Sequence, residues 1–176
     1  MTERLADMLA VGGHANSLGL GSEVVELVLK DKPRLDELYN CLFNADSWVR
    51  MRAADALEKI CRRHPEWLLP YIDRFSTDLA SNEQASIQWH LAQIYRQVEL
   101  TVEQKGFAIN WLTQLLCSKD VDWIVSANAM DTLAQFTRDG SFSVEALIPL
   151  LNIQLGHSSN AVIKRANKLL VECSSK

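Results

Sequence analysis

Glycine and proline are scarce, 7 and 4 in 176 residues, too few for the many turns of a β-rich chain. No apolar run approaches the ~18 residues that a membrane-spanning helix needs. The opening stretch, MTERLADMLAVGG, carries charges at Glu3, Arg4 and Asp7 and lacks a long apolar core, so it does not read as a secretory signal. These absences point to a cytoplasmic protein with no membrane partner. Four cysteines occur, at 41, 61, 117 and 173, with no CxxC pair and no histidine at ligand spacing. Without an export signal the thiols are expected to stay reduced. Each falls on the apolar stripe or flank of a helix, which predicts buried thiols rather than a metal or redox centre. No GxxxxGK[ST], HExxH or GxSxG motif is present, so neither a cofactor nor an enzymatic activity is expected. The segment GGHANSLGLG has glycines at 12, 13, 19 and 21. No strand precedes it, so it reads as a loop.

What is present is a repeat. The segment DSWVRMRAADALEKI, residues 46–60, has an apolar face of Val49, Ala53, Ala54, Ala56, Leu57 and Ile60. Shifted by 38 residues, Val49, Leu57 and Ile60 fall on Ile87, Tyr95 and Val98. Shifted by 76 they fall on Val125, Leu133 and Phe136, and by 113 on Val162, Leu170 and Cys173. Each copy keeps its own i, i+4, i+7, i+8, i+11 helical pattern, with one polar lapse at Thr132. Asp46, Asp122 and Ser159 stand at the helix starts as N-caps, and Ser81 or Asn82 can serve the second copy. A further helix precedes each copy, near 33–44, 66–80, 102–118 and 143–155. Pro33 suits a first helical position. Thr101 with Gln104 forms a capping box, and Pro70 and Pro149 mark a kink or a first turn. The expected organisation is a single domain over 1–176. An N-terminal cap and helix occupy 1–32, and helical hairpins occupy 33–63, 66–98, 102–138 and 143–173. A lone hairpin cannot bury its face, so hairpins stack. Alanine lets helix axes approach to about 8 Å.

The pattern resembles HEAT repeats, a helical-hairpin solenoid family related to armadillo. The residues that carry the likeness are DSWVRMRAADALEKI, the weaker DWIVSANAMDTLAQF, and HPEWLLPYIDRF with its internal proline. The likeness covers roughly residues 22 to 173. It implies an all-α, right-handed superhelix in which the second helix of each hairpin lines a concave surface. It also implies a protein-interaction module.

The helical wheel identifies which side chains oppose the apolar stripes. They include Asp55 and Arg62 in the first copy, Trp89, Gln93 and Arg96 in the second, Asp131 and Arg138 in the third, and Lys164 and Lys168 in the fourth. Arg52, His90, Asn128 and Arg165 flank them. Trp89 either anchors a partner or packs under a neighbouring side chain. His90 reads as polar surface rather than as an acid–base partner of Asp55 or Asp131. The other tryptophans, 48, 67, 111 and 123, are expected in core or edge packing. The four second helices carry a net +6, whereas the whole chain is −4. A basic inner row on an acidic body suits an acidic partner. The favoured function is therefore a monomeric, non-enzymatic scaffold that grips a protein or peptide. The alternative is a nucleic-acid-binding protein similar to the HEAT-like alkylpurine DNA glycosylases, with Trp89, Asp131 and Arg96 of the right chemical types. The acidic pI of about 5.6 disfavours phosphate binding.

Overall fold

The computed structural model describes residues 3–12 and 17–174. Positions 13–16 of the glycine-rich segment lie outside them. Every regular element among the described residues is helical, as the periodicity predicts. No helix among them is long and apolar enough to cross a membrane. The contacts divide the chain into two compact units, Met1–Trp67 and Leu68–Lys176.

In the first unit α1 (Leu5–Ala10) and α2 (Gly21–Lys30) pack on α4 (Ser47–Arg63). The Asp46 carboxylate caps α4, accepting from the Trp48 amide at 2.8 Å. The face of Val49, Ala53, Ala54, Ala56, Leu57 and Ile60 is buried, so the small residues are where helices meet. The helix expected near 33–44 is in three pieces. Single 3₁₀ turns, Lys32–Arg34 and Cys41–Phe43, flank a short α3 (Leu35–Asn40), and Pro33 sits in the first of them.

Arg52 organises the N-terminal end of this unit. It was expected on an open flank, but it is only 1% exposed. Its Nη1 donates to the Leu9 carbonyl at 2.6 Å, its Nη2 to Gly12 at 3.0 Å and its Nε to Ser17 at 2.8 Å. The planar fork of donors suits this use, since backbone carbonyls that close over a helix need buried partners. Next to this clasp Gly19 has φ +52, and a Cβ there would lie 1.8 Å from the Val11 carbonyl oxygen. Only glycine allows the loop to close so tightly.

The second unit opens with α5 (Leu69–Arg74), whose first turn holds Pro70, and runs into a π-helical turn, Phe75–Leu79. Five longer helices follow: α6 (Ala85–Gln97), α7 (Val102–Leu116), α8 (Trp123–Arg138), α9 (Val144–Gln154) and α10 (Asn160–Ser174). Helix α8 packs between α6 and α10, and α7 packs beside α9. The capping box at Thr101 and Gln104 forms. Asp122 and Ser143 cap α8 and α9. Helix α6 begins differently. Gln84 is its N-cap without a side-chain bond, while the Asn82 carboxamide accepts from the Gln84 amide at 2.9 Å.

Two buried polar contacts tie neighbouring helices together. The lapse at Thr132 is one of them, its Oγ1 donating to the Ala92 carbonyl on α6 at 2.7 Å. The other runs through the buried Gln154, which accepts from Ser126 Oγ at 2.8 Å. Its Nε2 donates to the Leu116 and Ser118 carbonyls, each at 2.9 Å. That satisfies the end of α7 from inside.

The cysteines divide. Cys41 and Cys61 are buried, Cys173 is half-buried and Cys117 is exposed, and none of the four is in a disulfide. Burial was expected for each. Cys117 caps the C-terminus of α7, beyond the part of the helix that is packed.

Candidate functional site

In the first unit the open stripe of α4 is Trp48, Asp55, Lys59 and Arg62. Asp55 pairs with Lys59 at 2.7 Å, and Arg62 Nε reaches Glu58 at 2.6 Å. Glu58 is itself buried, so Arg62 answers a charge that has left water. The stripe is thus neutralised within its own helix by i, i+4 pairs. Trp48 is 40% exposed, and Arg52 lies 6.0 Å from its ring centroid.

In the second unit the second helices form a continuous polar ladder. Gln93 Nε2 donates to Asn128 Oδ1 at 3.0 Å. Asp131 receives Arg165 from α10 at 2.5 Å, and Arg96 of α6 lies 3.6 Å from its other oxygen. Arg138 binds Glu172 at 2.9 Å, and this hydrogen bond holds the Glu172 carboxyl below its usual range. One carboxylate on α8 thereby fixes both neighbouring helices. The wheel had placed Gln93, Arg96, Asp131 and Arg138 on one face, and the structure brings them together in this ladder.

Lys164 and Lys168 stand apart from it. Both are exposed, and among the described residues neither makes an ion pair. Lys168 lies one turn from both Arg165 and Glu172, the residues that reach α8. The open face of α8 and α10 therefore carries an excess of positive charge.

One expected position needs correction, and the surroundings of Trp89 bear on its two readings. His90 is 2% exposed, so it is no part of an open surface. Its Nδ1 donates to the Ser86 carbonyl at 2.5 Å, one turn back along α6, which fixes the tautomer. Trp89 is half-buried, with its ring stacked on His90 at 3.4 Å between centroids. The ring therefore packs on a neighbouring side chain, one of the two roles expected of it.

In the second unit an open aromatic is Trp123, 52% exposed at the first residue of α8. It had been assigned to core or edge packing. The signal for it was the i, i+4, i+8 spacing of Trp123, Ala127 and Asp131, which puts the indole on the same stripe as the ladder. Among the described residues no group of three or more His, Cys, Asp or Glu is placed to hold a metal ion.

A family model for the HEAT repeat domain matches residues 21–113. Against curated proteins and against solved structures the chain finds no significant match. HEAT repeats generally mediate protein–protein interaction and scaffolding, and the family is typically non-enzymatic. The matched stretch runs from the start of α2 into α7 and takes in more than half of the sequence, and with its paired helices and alanine-lined contacts it establishes that this chain belongs to the HEAT-repeat family.

Proposed function

We propose that the open row of α8 and α10 binds an acidic peptide segment of a protein partner, and that the chain works as a cytoplasmic, monomeric, non-enzymatic scaffold. The observation that carries this is the exposure of Trp123 on α8 together with that of Lys164 and Lys168 on its packed neighbour α10. The ladder satisfies Asp131 and Glu172 internally, so neither carboxylate opposes an incoming acidic group. Lys164 and Lys168 retain their charge for a ligand, and a half-exposed indole at the stripe's N-terminal end offers one apolar contact. Trp89 and Arg96 border the same row on α6.

Affinity capture from cell lysate, compared between the native chain and variants, tests this. Trp123→Ala and the double change Lys164→Glu with Lys168→Glu should each lose the main captured partner. For the tryptophan the loss should be about 2 kcal/mol or more. Capture unchanged in both variants would remove the row as the site. A salt-dependent shift of duplex DNA would instead favour a nucleic-acid ligand.

A further inference from the structure

A groove of about 310 Å³ lies on the other helix layer of the second unit, between α5 with its π-helical continuation and α7. Its floor is apolar and aromatic, made by Ile72, Tyr95 and Phe107, and its rim carries Asp73 and Glu103. Among the described residues no cation lines it. The cations adjacent in sequence to its lining are paired elsewhere, Arg74 with Asp78 at 3.5 Å and Lys105 with Asp139 at 3.1 Å.

The Asp73 carboxylate is held in place. Its Oδ1 accepts from Gln104 Nε2 at 2.9 Å, and Gln104 is locked in turn by the capping box with Thr101. That leaves Oδ2 for a ligand. Glu103 is exposed and makes no ion pair among the described residues. Beside it Val102 is 93% exposed, an apolar rim at the head of α7. The π-helical turn shapes the opposite wall. Ser76 Oγ donates to the Asp73 carbonyl at 2.6 Å, and such turns are frequent at functional sites.

We propose that this groove seats an arginine or lysine side chain of a protein partner, as a second interaction surface separate from the acidic-peptide row. The two carboxylates supply charge-assisted hydrogen bonds to a guanidinium or ammonium. Phe107 and Tyr95 make the lining aromatic, and the apolar floor takes the aliphatic stem. The sign of the charge rules out a nucleic acid here. An aromatic floor also distinguishes the groove from a hydrated surface where two carboxylates simply happen to be neighbours.

The test is a titration of the full chain, followed by ¹H–¹⁵N spectra, with acetyl-arginine amide, acetyl-lysine amide and the uncharged acetyl-glutamine amide. The arginine or lysine probe should give saturable shifts confined to the amides of 72–77 and 103–107, with a roughly millimolar dissociation constant. Glu103→Gln and Asp73→Asn should each weaken it about three- to fivefold, the range of an exposed ion pair. Both changes are at exposed positions, and the same spectra report whether the fold is kept. Glu103→Gln leaves the Gln104 contact intact and decides alone if Asp73→Asn disturbs α5. The proposal is overturned by no saturable shift in those segments, by an equal response to the glutamine probe, or by unchanged binding in Glu103→Gln.

Discussion

Thr132 Oγ1 donates to the Ala92 carbonyl across the α6–α8 contact at 2.7 Å. Both residues are buried, and the bond exists only because a methyl side chain at 92 lets the backbones come close. A hydroxyl that interrupts the apolar pattern of α8 is therefore part of the contact between repeats. Thr132→Val keeps the shape and removes the donor. It should cost about 1 kcal/mol in urea unfolding, whereas Ala92→Leu should cost more, because the added atoms have no space.

Arg52→Met should lower unfolding free energy by about 3 kcal/mol. It leaves the buried Leu9 carbonyl and the part-buried Gly12 and Ser17 carbonyls without their donor. Arg52→Lys should recover less than half of that, since a single ammonium cannot reach three diverging oxygens. Full recovery by lysine would show that charge alone, and not the fork, is what the site needs.

Two glycines should respond with opposite signs to the same change. Gly19→Ala should destabilise by roughly 2 kcal/mol or more, because φ is +52 and the new Cβ would strike the Val11 carbonyl. Gly106→Ala, in α7, should stabilise by about 1 kcal/mol. Its Cβ would meet nothing within 4 Å, and glycine in a helix interior is unfavourable. Thermal melts of the two variants check both.

Thiol reactivity should fall into three classes. Cys117 should label fast in the native state and Cys173 at an intermediate rate, while Cys41 and Cys61 should label only after unfolding. Burial pushes the Cys61 thiol up to about 12, with Glu58 and Glu66 adding to it, and the Cys41 thiol up to about 11. An unfolded thiol loses its proton near 9.0. The folded state therefore holds protons that the unfolded chain releases above that pH. This contribution to stability is complete below pH 9 and declines as pH rises toward 11–12. A urea midpoint that rises over this range would contradict it.

Much of this fold is readable from spacing. The copies separated by 38, 38 and 37 residues place α4, α6, α8 and α10, because the 3.6-residue period and the N-caps at Asp46 and Asp122 are local signals. Pro70 and Thr101 behave as their chemistry dictates for the same reason. What spacing could not supply was the direction of long side chains. Arg50, tracked through the repeats, loses its register at Gln88, Ser126 and Ile163. In the structure its Nη1 donates to the Asn44 and Ala45 carbonyls in the segment just before its own helix. The ladder between helices forms at Arg96, Asp131 and Arg165 instead, where no repeat of residue type announces it. Arg52 and His90 sit on helix flanks, and a wheel cannot tell whether a loop or a turn of backbone will close over a flank. Trp123 was hidden by its position at a helix start, where exposure depends on the preceding loop rather than on the period.

The clasp at Arg52 has a practical consequence for anyone who trims this protein. The stretch that matches the repeat family starts at residue 21, and it looks like a natural place to cut. A fragment that began there would keep the guanidinium and discard the three carbonyls that hold it, along with Leu5, Met8 and Leu9 from the core. Its far end, at 113, would fall inside α7 and discard both Leu116 and the Gln154 amide that satisfies its carbonyl. Such a fragment would carry an orphaned cation at one end and a frayed helix at the other, and would be an easy substrate for proteases. An excision intended to stay folded has to retain the amino-terminal twenty residues, even though they show no trace of the repeat.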